Sequence, residues 1–268
     1  MATRTVQERS IPDTGPGRAA RTTRILDHLR TSGSVLVADL ASVLATSEMT
    51  IRRDLKGLEA EGLVRRIHGG ALLVPSRAYE PTFREKSRQF VDEKRRIGKA
   101  AAALVEPGDT LILGPGTTTM EVARHLRGRR NLTVVTSSVN IAAELAGDPE
   151  IEVIVTGGRL RGTTYALVGS LADENLRGLH VDKLFIGGNG LTVANGLTTP
   201  DLSVATTDRA LLRAADRVIV TVDHSKIGRV TLCQTAPIEH IHALVTDSGV
   251  PEEARRSFER AGVEVVVV

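Results

Sequence analysis

The sequence contains no tryptophan, one cysteine (Cys233) and only two tyrosines and four phenylalanines in 268 residues. A core has to be built from Val, Leu, Ile and Ala instead. A lone thiol makes no internal disulfide, which fits a reducing compartment. No apolar run approaches the roughly 20 residues that span a bilayer. The N-terminal region carries arginines but no apolar segment of the secretory kind, so a cytoplasmic protein without a membrane partner is expected. The seven histidines show no metal-ligand spacing. His240 and His242 alternate in a segment read as a strand, and no third ligand accompanies them, so neither a metal nor a cofactor is expected. There is no Gly-x-Ser-x-Gly elbow, no Walker loop and no Rossmann fingerprint.

What is present is unevenly spread. Hydrophobic residues make up 41% of the chain, enough for one large or two modest domains. Residues 1–99 carry a net charge of +7 and residues 100–268 a net charge of −4. A basic front joined to a mildly acidic back suits a nucleic-acid module attached to something that binds no polyanion. Residues 1–20 are rich in Arg, Thr, Pro and Gly without periodicity and read as a disordered tail.

The basic part is organised around residues 46–62. On a helix of 3.6 residues per turn, Ile51, Leu55 and Leu58 share one stripe. Met49, Arg53 and Lys56 fall opposite, with Thr50 and Arg52 on the flanks. Thr46 or Ser47 offers an N-cap and Gly62 a stop. Such a helix suits the major groove, where arginine reads guanine edges and threonine or methionine touches thymine methyls. Arg24 to Arg30 reads as a preceding helix and Val37 to Leu44 as a second, with a tight turn at Ala45-Thr46. Helix, turn and recognition helix follow at the expected spacing. Leu63 to Leu73 reads as a hairpin turning at His68-Gly69-Gly70, a wing that brings Arg65, Arg66 and His68 near a phosphate backbone. The candidate DNA-contacting residues are therefore Ser47, Met49, Thr50, Arg52, Arg53, Lys56, Arg65, Arg66 and His68.

The block from about residue 21 to 74 resembles the N-terminal domain of the DeoR family of bacterial transcription repressors. The runs that carry the resemblance are Ser47-Glu-Met-Thr-Ile-Arg-Arg-Asp-Leu55, Leu58-Glu-Ala-Glu-Gly-Leu-Val-Arg-Arg66 and His68-Gly-Gly-Ala71. The resemblance implies a winged helix-turn-helix bound to double-stranded operator DNA.

After the wing, residues 74–81 break regular structure. Phe83 to Val105 reads as mostly helical, charged and solvated, so residues 75–99 are expected to be a linker and linker helix. From residue 100 onward, apolar strands alternate with helices, as in a mostly parallel α/β sheet covered on both faces. The strands expected are Thr110–Leu113, Leu132–Thr136, Ile151–Thr156, Lys183–Ile186, Arg217–Val222, His242–Thr246 and Val263–Val268. Several run into Gly, Ser or Thr at their C-terminal ends, where open α/β sheets bind ligands. In Gly114-Pro-Gly-Thr-Thr-Thr119 the glycines allow close approach, and the hydroxyls and amides of a helix N-terminus offer an anion site. Candidate effector-binding residues are Gly116, Thr117, Thr118, Thr119, Ser137, Ser138, Asn140, Gly157, Gly158, Arg159, Gly188, Asn189 and Lys226.

This half also resembles the DeoR C-terminal sensor domain, through Gly116-Thr-Thr-Thr119, Gly157-Gly-Arg-Leu160, Leu167-Val-Gly169, Gly196-Leu-Thr-Thr-Pro200 and Asp223-His-Ser-Lys-Ile-Gly228. The resemblance implies a fold similar to ribose-5-phosphate isomerase and a sensor for a phosphorylated small-molecule effector, in a homo-oligomer (dimer or tetramer). Three departures stand out. The family usually has Asp-Ser-Gly-Thr-Thr where this chain has Gly114-Pro115-Gly116-Thr117-Thr118. It usually has Gly-Ala-Asp-Gly at Gly187-Gly188-Asn189-Gly190, and often lysine at Asp208. Two other functions compete. An isomerase needs a carboxylate to move a proton between adjacent carbons, and the obvious position holds Asn189. A back domain that only oligomerises has no need of amide-lined loops. The reading is a non-enzymatic, ligand-responsive repressor of a carbohydrate-type operon.

Overall fold

A computed structural model describes residues 17–60, 63–73 and 77–268 and divides the chain after Ser76. Most of the expected tail, the expected stop at Gly62 and the break at residues 74–76 lie outside the described residues.

The first unit contains helix α1 (Arg18–Ser32), strand β1 (Ser34–Leu36), α2 (Val37–Val43), α3 (Glu48–Ala60), β2 (Val64–Ile67) and β3 (Gly70–Leu73). Its core is a single cluster in which Ile25 and Leu29 of α1, Leu40 of α2, and Ile51, Leu55 and Leu58 of α3 are buried together. The first helix begins at Arg18, inside the segment expected to be tail, because Arg21 turns inward. Its guanidinium donates to Asp54 of α3 at 2.6 Å, and Asp54 is 1% exposed. That buried pair joins two helices and is charge spent inside the fold. The second departure is β1. Lying between the two expected helices, it pairs antiparallel with β3 (Val35 opposite Ala71), giving a three-stranded sheet of order β1-β3-β2. Gly70 makes that approach possible, since a Cβ there would sit 2.1 Å from the Val35 carbonyl oxygen.

The second unit is built on seven strands, all parallel: β4 (Thr110–Leu113), β5 (Leu132–Thr136), β6 (Ile151–Val155), β9 (Val181–Ile186), β12 (Ala215–Thr221), β14 (Ala243–Thr246) and β15 (Glu264–Val267). Their order is β15-β14-β12-β9-β4-β5-β6. Alternate residues feed opposite faces. Leu111 and Leu113 pack with α5 (Val91–Ala102), α6 (Thr117–Leu126) and α7 (Val139–Leu145), while Ile112, Leu184 and Ile186 pack with α9 (Leu202–Arg213) and α10 (Glu252–Arg260). Smaller pieces are the hairpin β7 (Arg159–Arg161) and β8 (Ala166–Val168), the short α8 (Ser170–Asn175), and a sheet of β10 (Gly190–Thr192), β11 (Gly196–Thr199) and β13 (Cys233–Ala236). His240 and His242 both precede β14, and the His242 Nδ1 accepts from the Val218 amide.

The expected linker region is mostly helical but is built into the second unit. It forms α4 (Phe83–Ser87) and α5, broken at Phe90, whose φ of 51° lies in the left-handed region. Thr82 and Glu85 make a reciprocal capping box at the start of α4. Helix α5 is part of the second unit's core, with Ile97 and Ala101 fully buried. Its close packing on α6 runs through Gly98, where a Cβ would meet Glu121 at 2.5 Å. The alternation of charge along residues 83–99 disguised an apolar stripe.

Candidate functional site

In the first unit, α3 presents the face its periodicity predicts. Ser47 is the cap, its Oγ accepting from the Thr50 amide at 3.2 Å and sharing a hydrogen bond with the Thr50 hydroxyl at 2.9 Å. Met49 is 72% exposed, and Arg52, Arg53 and Lys56 are exposed with it. Arg52 is braced by Glu48 at 2.8 Å. On the wing, Arg65, Arg66 and His68 are exposed. Arg66 is tied back to α3, donating from its backbone amide and guanidinium to Glu59 (2.9 and 2.6 Å), and those bonds hold the Glu59 carboxyl below its usual range. The result is a convex, cation-rich helix beside a cation-tipped hairpin, a shape that suits a groove and its flanking phosphates.

The second unit has a crevice at the C-terminal ends of its strands, lined by polar and charged side chains. It lies where the sheet's order reverses. From β4 the chain proceeds to β5 and β6 on one side, while β9, β12 and β14 build out on the other. The loops leaving β4 and β9 therefore diverge and open a crevice at the strand ends. Pro115 to Thr118 line it from β4, Gly187 to Asn189 from β9, and Asp223 and Lys226 from the end of β12. Among the described residues no side chain caps the first turn of α6, whose residues Thr117 and Thr118 line the crevice.

Six of the thirteen residues proposed from sequence line this pocket: Gly116, Thr117, Thr118, Gly188, Asn189 and Lys226. The other seven do not. Thr119 is fully buried and donates to the Gly116 carbonyl at 3.1 Å. Ser137, Ser138 and Asn140 sit at the end of β5, where the Ser138 hydroxyl donates to the Asn140 side chain at 2.6 Å. Gly157, Gly158 and Arg159 follow β6, the edge strand, with Arg159 exposed. Glycine- and serine-rich strand ends identify the ligand edge of a sheet but not which two strands flank the reversal.

Sequence reasoning missed Glu80, Lys86 and Lys94, all of which line the pocket. Lys94 is 4% exposed and shares a stripe with Ile97 and Ala101; that spacing was the available signal. Its ammonium donates to the Gln89 carbonyl at 2.7 Å and to that of Lys86, closing the end of α4. Burial lowers the Lys94 ammonium to about 8 and draws those of Lys86 and Lys226 below the usual lysine range. Glu80 opposes the shift at Lys86, lying 3.8 Å away, and bonds Arg161 at 2.7 Å. Arg161 reaches Asp201 at 3.0 Å, the cap of α9. Two turns along α9, Asp208 faces the pocket. Burial, with Glu80 beside it, pushes the Asp208 carboxyl up to about 8.

Comparison with known proteins agrees with both halves. A model of the DeoR-like helix-turn-helix domain matches residues 21–77, and one of the DeoR C-terminal sensor domain matches residues 89–248. The chain is 35% identical over 254 residues to a putative aga operon transcriptional repressor of Escherichia coli O157:H7, covering 94% of each. It is 39% identical over 248 residues to the HTH-type transcriptional regulator GlpR of Haloferax volcanii (92% of this chain, 97% of that one). It is 33% identical over 241 residues to the lactose phosphotransferase system repressor of Lactococcus lactis (89% and 94%). Among solved structures, ribose 5-phosphate isomerase A of Methanocaldococcus jannaschii aligns with a TM-score of 0.40 at 21% identity, over 52% of this chain and 55% of that one. Among the described residues no helix is long and apolar enough to cross a membrane. With a winged helix-turn-helix in front, a ligand-type crevice behind and both domain models matched in order, the chain belongs to the DeoR family of DNA-binding transcriptional regulators.

Proposed function

We propose that this protein is a repressor of a carbohydrate-metabolism operon, and that a phosphorylated sugar bound in the second unit modulates its affinity for operator DNA. The observation that carries the reading is the set of three lysines, Lys86, Lys94 and Lys226, that line one pocket beside the N-terminus of α6. A cation with a depressed pKa is held at a cost in desolvation, and an anionic ligand removes that cost. A phosphate monoester matches it. The hydroxyl of Thr199 and the side-chain amide of Asn189 offer neutral partners for sugar hydroxyls. The sugar assignment draws further support from the relatives described as aga operon and lactose phosphotransferase repressors. Asn189 has no proton-moving carboxylate, which favours sensing over isomerisation.

On the DNA side, Ser47, Met49, Thr50, Arg52, Arg53 and Lys56 read or clamp the major groove, and Arg65, Arg66 and His68 contact the backbone. A homo-oligomer, dimer or tetramer, in the cytoplasm completes the reading, since paired half-sites match paired subunits. The test is a mobility shift on DNA from the gene's own upstream region, with a panel of sugar phosphates at fixed salt. The expected result is specific binding that at least one phosphate strengthens or weakens. Specific binding that no phosphorylated compound alters removes the sensor assignment.

A further inference from the structure

The cations of the pocket account for a phosphate, but they leave its acidic side unexplained. Asp208 lines the cavity at 5% exposure, and among the described residues nothing hydrogen-bonds to its carboxyl or ion-pairs with it. Asp223 lines the same cavity and is fully buried. Its Oδ1 caps the following turn through Ser225, and its Oδ2 has no hydrogen-bond partner. Glu80 completes the acidic wall but is already engaged by Arg161.

A buried carboxyl without a partner is costly to keep ionised, and its usual remedy is a cation or a proton. Lys86 and Arg209 act on Asp208 only at longer range, and among the described residues neither makes a direct ion pair with it. Its neighbour on α9, Arg209, is turned instead to the Gln234 carbonyl. No group of His, Cys, Asp and Glu that could hold a metal ion occurs among the described residues, which disfavours a divalent cation as the missing partner. A sugar hydroxyl needs no buried acid either, because Thr199 and Asn189 already offer neutral partners. An ammonium group is the donor that a buried carboxyl without a hydrogen bond selects.

We propose that the effector carries a protonated amine as well as a phosphate, the class of phosphorylated amino sugars, and that Asp208 receives the amine. The proposal rests on the reading of this cavity as the effector site. It gives the charged pattern a division of labour: Lys226 and the α6 amides take the phosphate, and Asp208 on α9 tests the far end of the ligand. The empty state holds Asp208 protonated to about pH 8, so an arriving ammonium displaces that proton and recovers the ionised carboxylate. A ligand with a hydroxyl in place of the amine leaves the acid neutral and gains no ion pair.

The experiment is calorimetric titration of the full chain with matched pairs: glucosamine 6-phosphate against glucose 6-phosphate, and galactosamine 6-phosphate against galactose 6-phosphate. The expected result is that an amino member binds at least about tenfold more tightly than its hydroxyl counterpart, the scale of a desolvated ion pair. In Asp208→Asn, a near-isosteric change checked for folding by circular dichroism, the amino member loses that advantage and the hydroxyl member is little changed. Equal or tighter binding of the hydroxyl members to the unaltered protein overturns the proposal without need of the variant. So does a preference that survives in Asp208→Asn, and so does binding confined to phosphates that have no amine. In each of those cases the phosphate-sensor reading stands. If no phosphate of any kind binds, that reading fails and this proposal fails with it.

Discussion

Both halves of the chain gather cations, and they do so in opposite ways. In the first unit the candidate DNA-contacting cations, Arg52, Arg53, Lys56, Arg65 and Arg66, stand exposed on a convex surface. In the second, Lys94 is buried, Lys86 and Lys226 are partly so, and all three line one crevice. The difference follows from the ligand. A duplex is long, rigid and wrapped in counterions, so exposed cations gain by releasing those ions and lose the gain as salt rises. A small phosphate can be enclosed, where desolvation of the lysines is offset by contact and salt screens less. The first unit also contains an exception, because the buried Arg21 is paired with Asp54 and serves the fold.

The largest test of this comparison is salt. Raising it from about 50 to about 200 mM should weaken operator binding by roughly 10³-fold, as expected for six or more phosphate contacts. Over the same range, binding of a phosphorylated ligand should change by less than about tenfold. Parallel losses would erase the distinction. Next is Asp54→Ala, which removes one partner of a buried ion pair. It should destabilise the first unit by about 3–5 kcal/mol, read as a lower melting transition and loss of operator binding with ligand binding kept. A smaller effect is expected of Arg53→Ala on the exposed face. Operator affinity should fall by about 1–3 kcal/mol with the melting temperature unmoved, and unchanged affinity would take Arg53 out of the interface.

The smallest effect concerns pH. Folded Asp208 keeps its proton to about pH 8, whereas an unfolded aspartate releases it near about pH 4. Between those values the unfolded chain binds fewer protons, so Asp208 makes stability fall as pH rises from about 4 to about 8. Lys94, lowered to about 8, acts in the window above. Asp208→Asn should therefore gain a few degrees in melting temperature over the unaltered protein at pH 8 and less at pH 5. A constant difference across that range would mean that Asp208 is ionised in the fold.

The two units also differ in how much the sequence reveals. The recognition helix is local: Ile51, Leu55 and Leu58 repeat within one helix, and Ser47 marks its start, so its exposed face can be read directly. The strand β1 could not be, because its partner lies some 35 residues away and its three residues carry no pattern of their own. In the second unit each βα repeat was legible, but the crevice depends on strand order, a long-range property. Hence Thr117 and Lys226 line the crevice, while Ser137 and Gly157 lie on the same edge of the sheet at strands that do not flank it. Lys86 and Lys94 were hidden for a different reason. Charge in a helix ordinarily signals solvent, and only the packing of Ile97 and Ala101 shows that Lys94 points inward.

The central claim is that a phosphate held by buried lysines governs how tightly the exposed arginines hold DNA. Its most direct test is operator affinity at fixed ionic strength, with and without each sugar phosphate, for the unaltered protein and for Lys226→Met. Each ligand response is taken relative to that protein's own ligand-free affinity. The account predicts a clear response to at least one phosphate in the unaltered protein and its loss, by roughly tenfold or more in ligand concentration, in Lys226→Met. A response of equal size at equal ligand concentration in both proteins, or none in either, would contradict it.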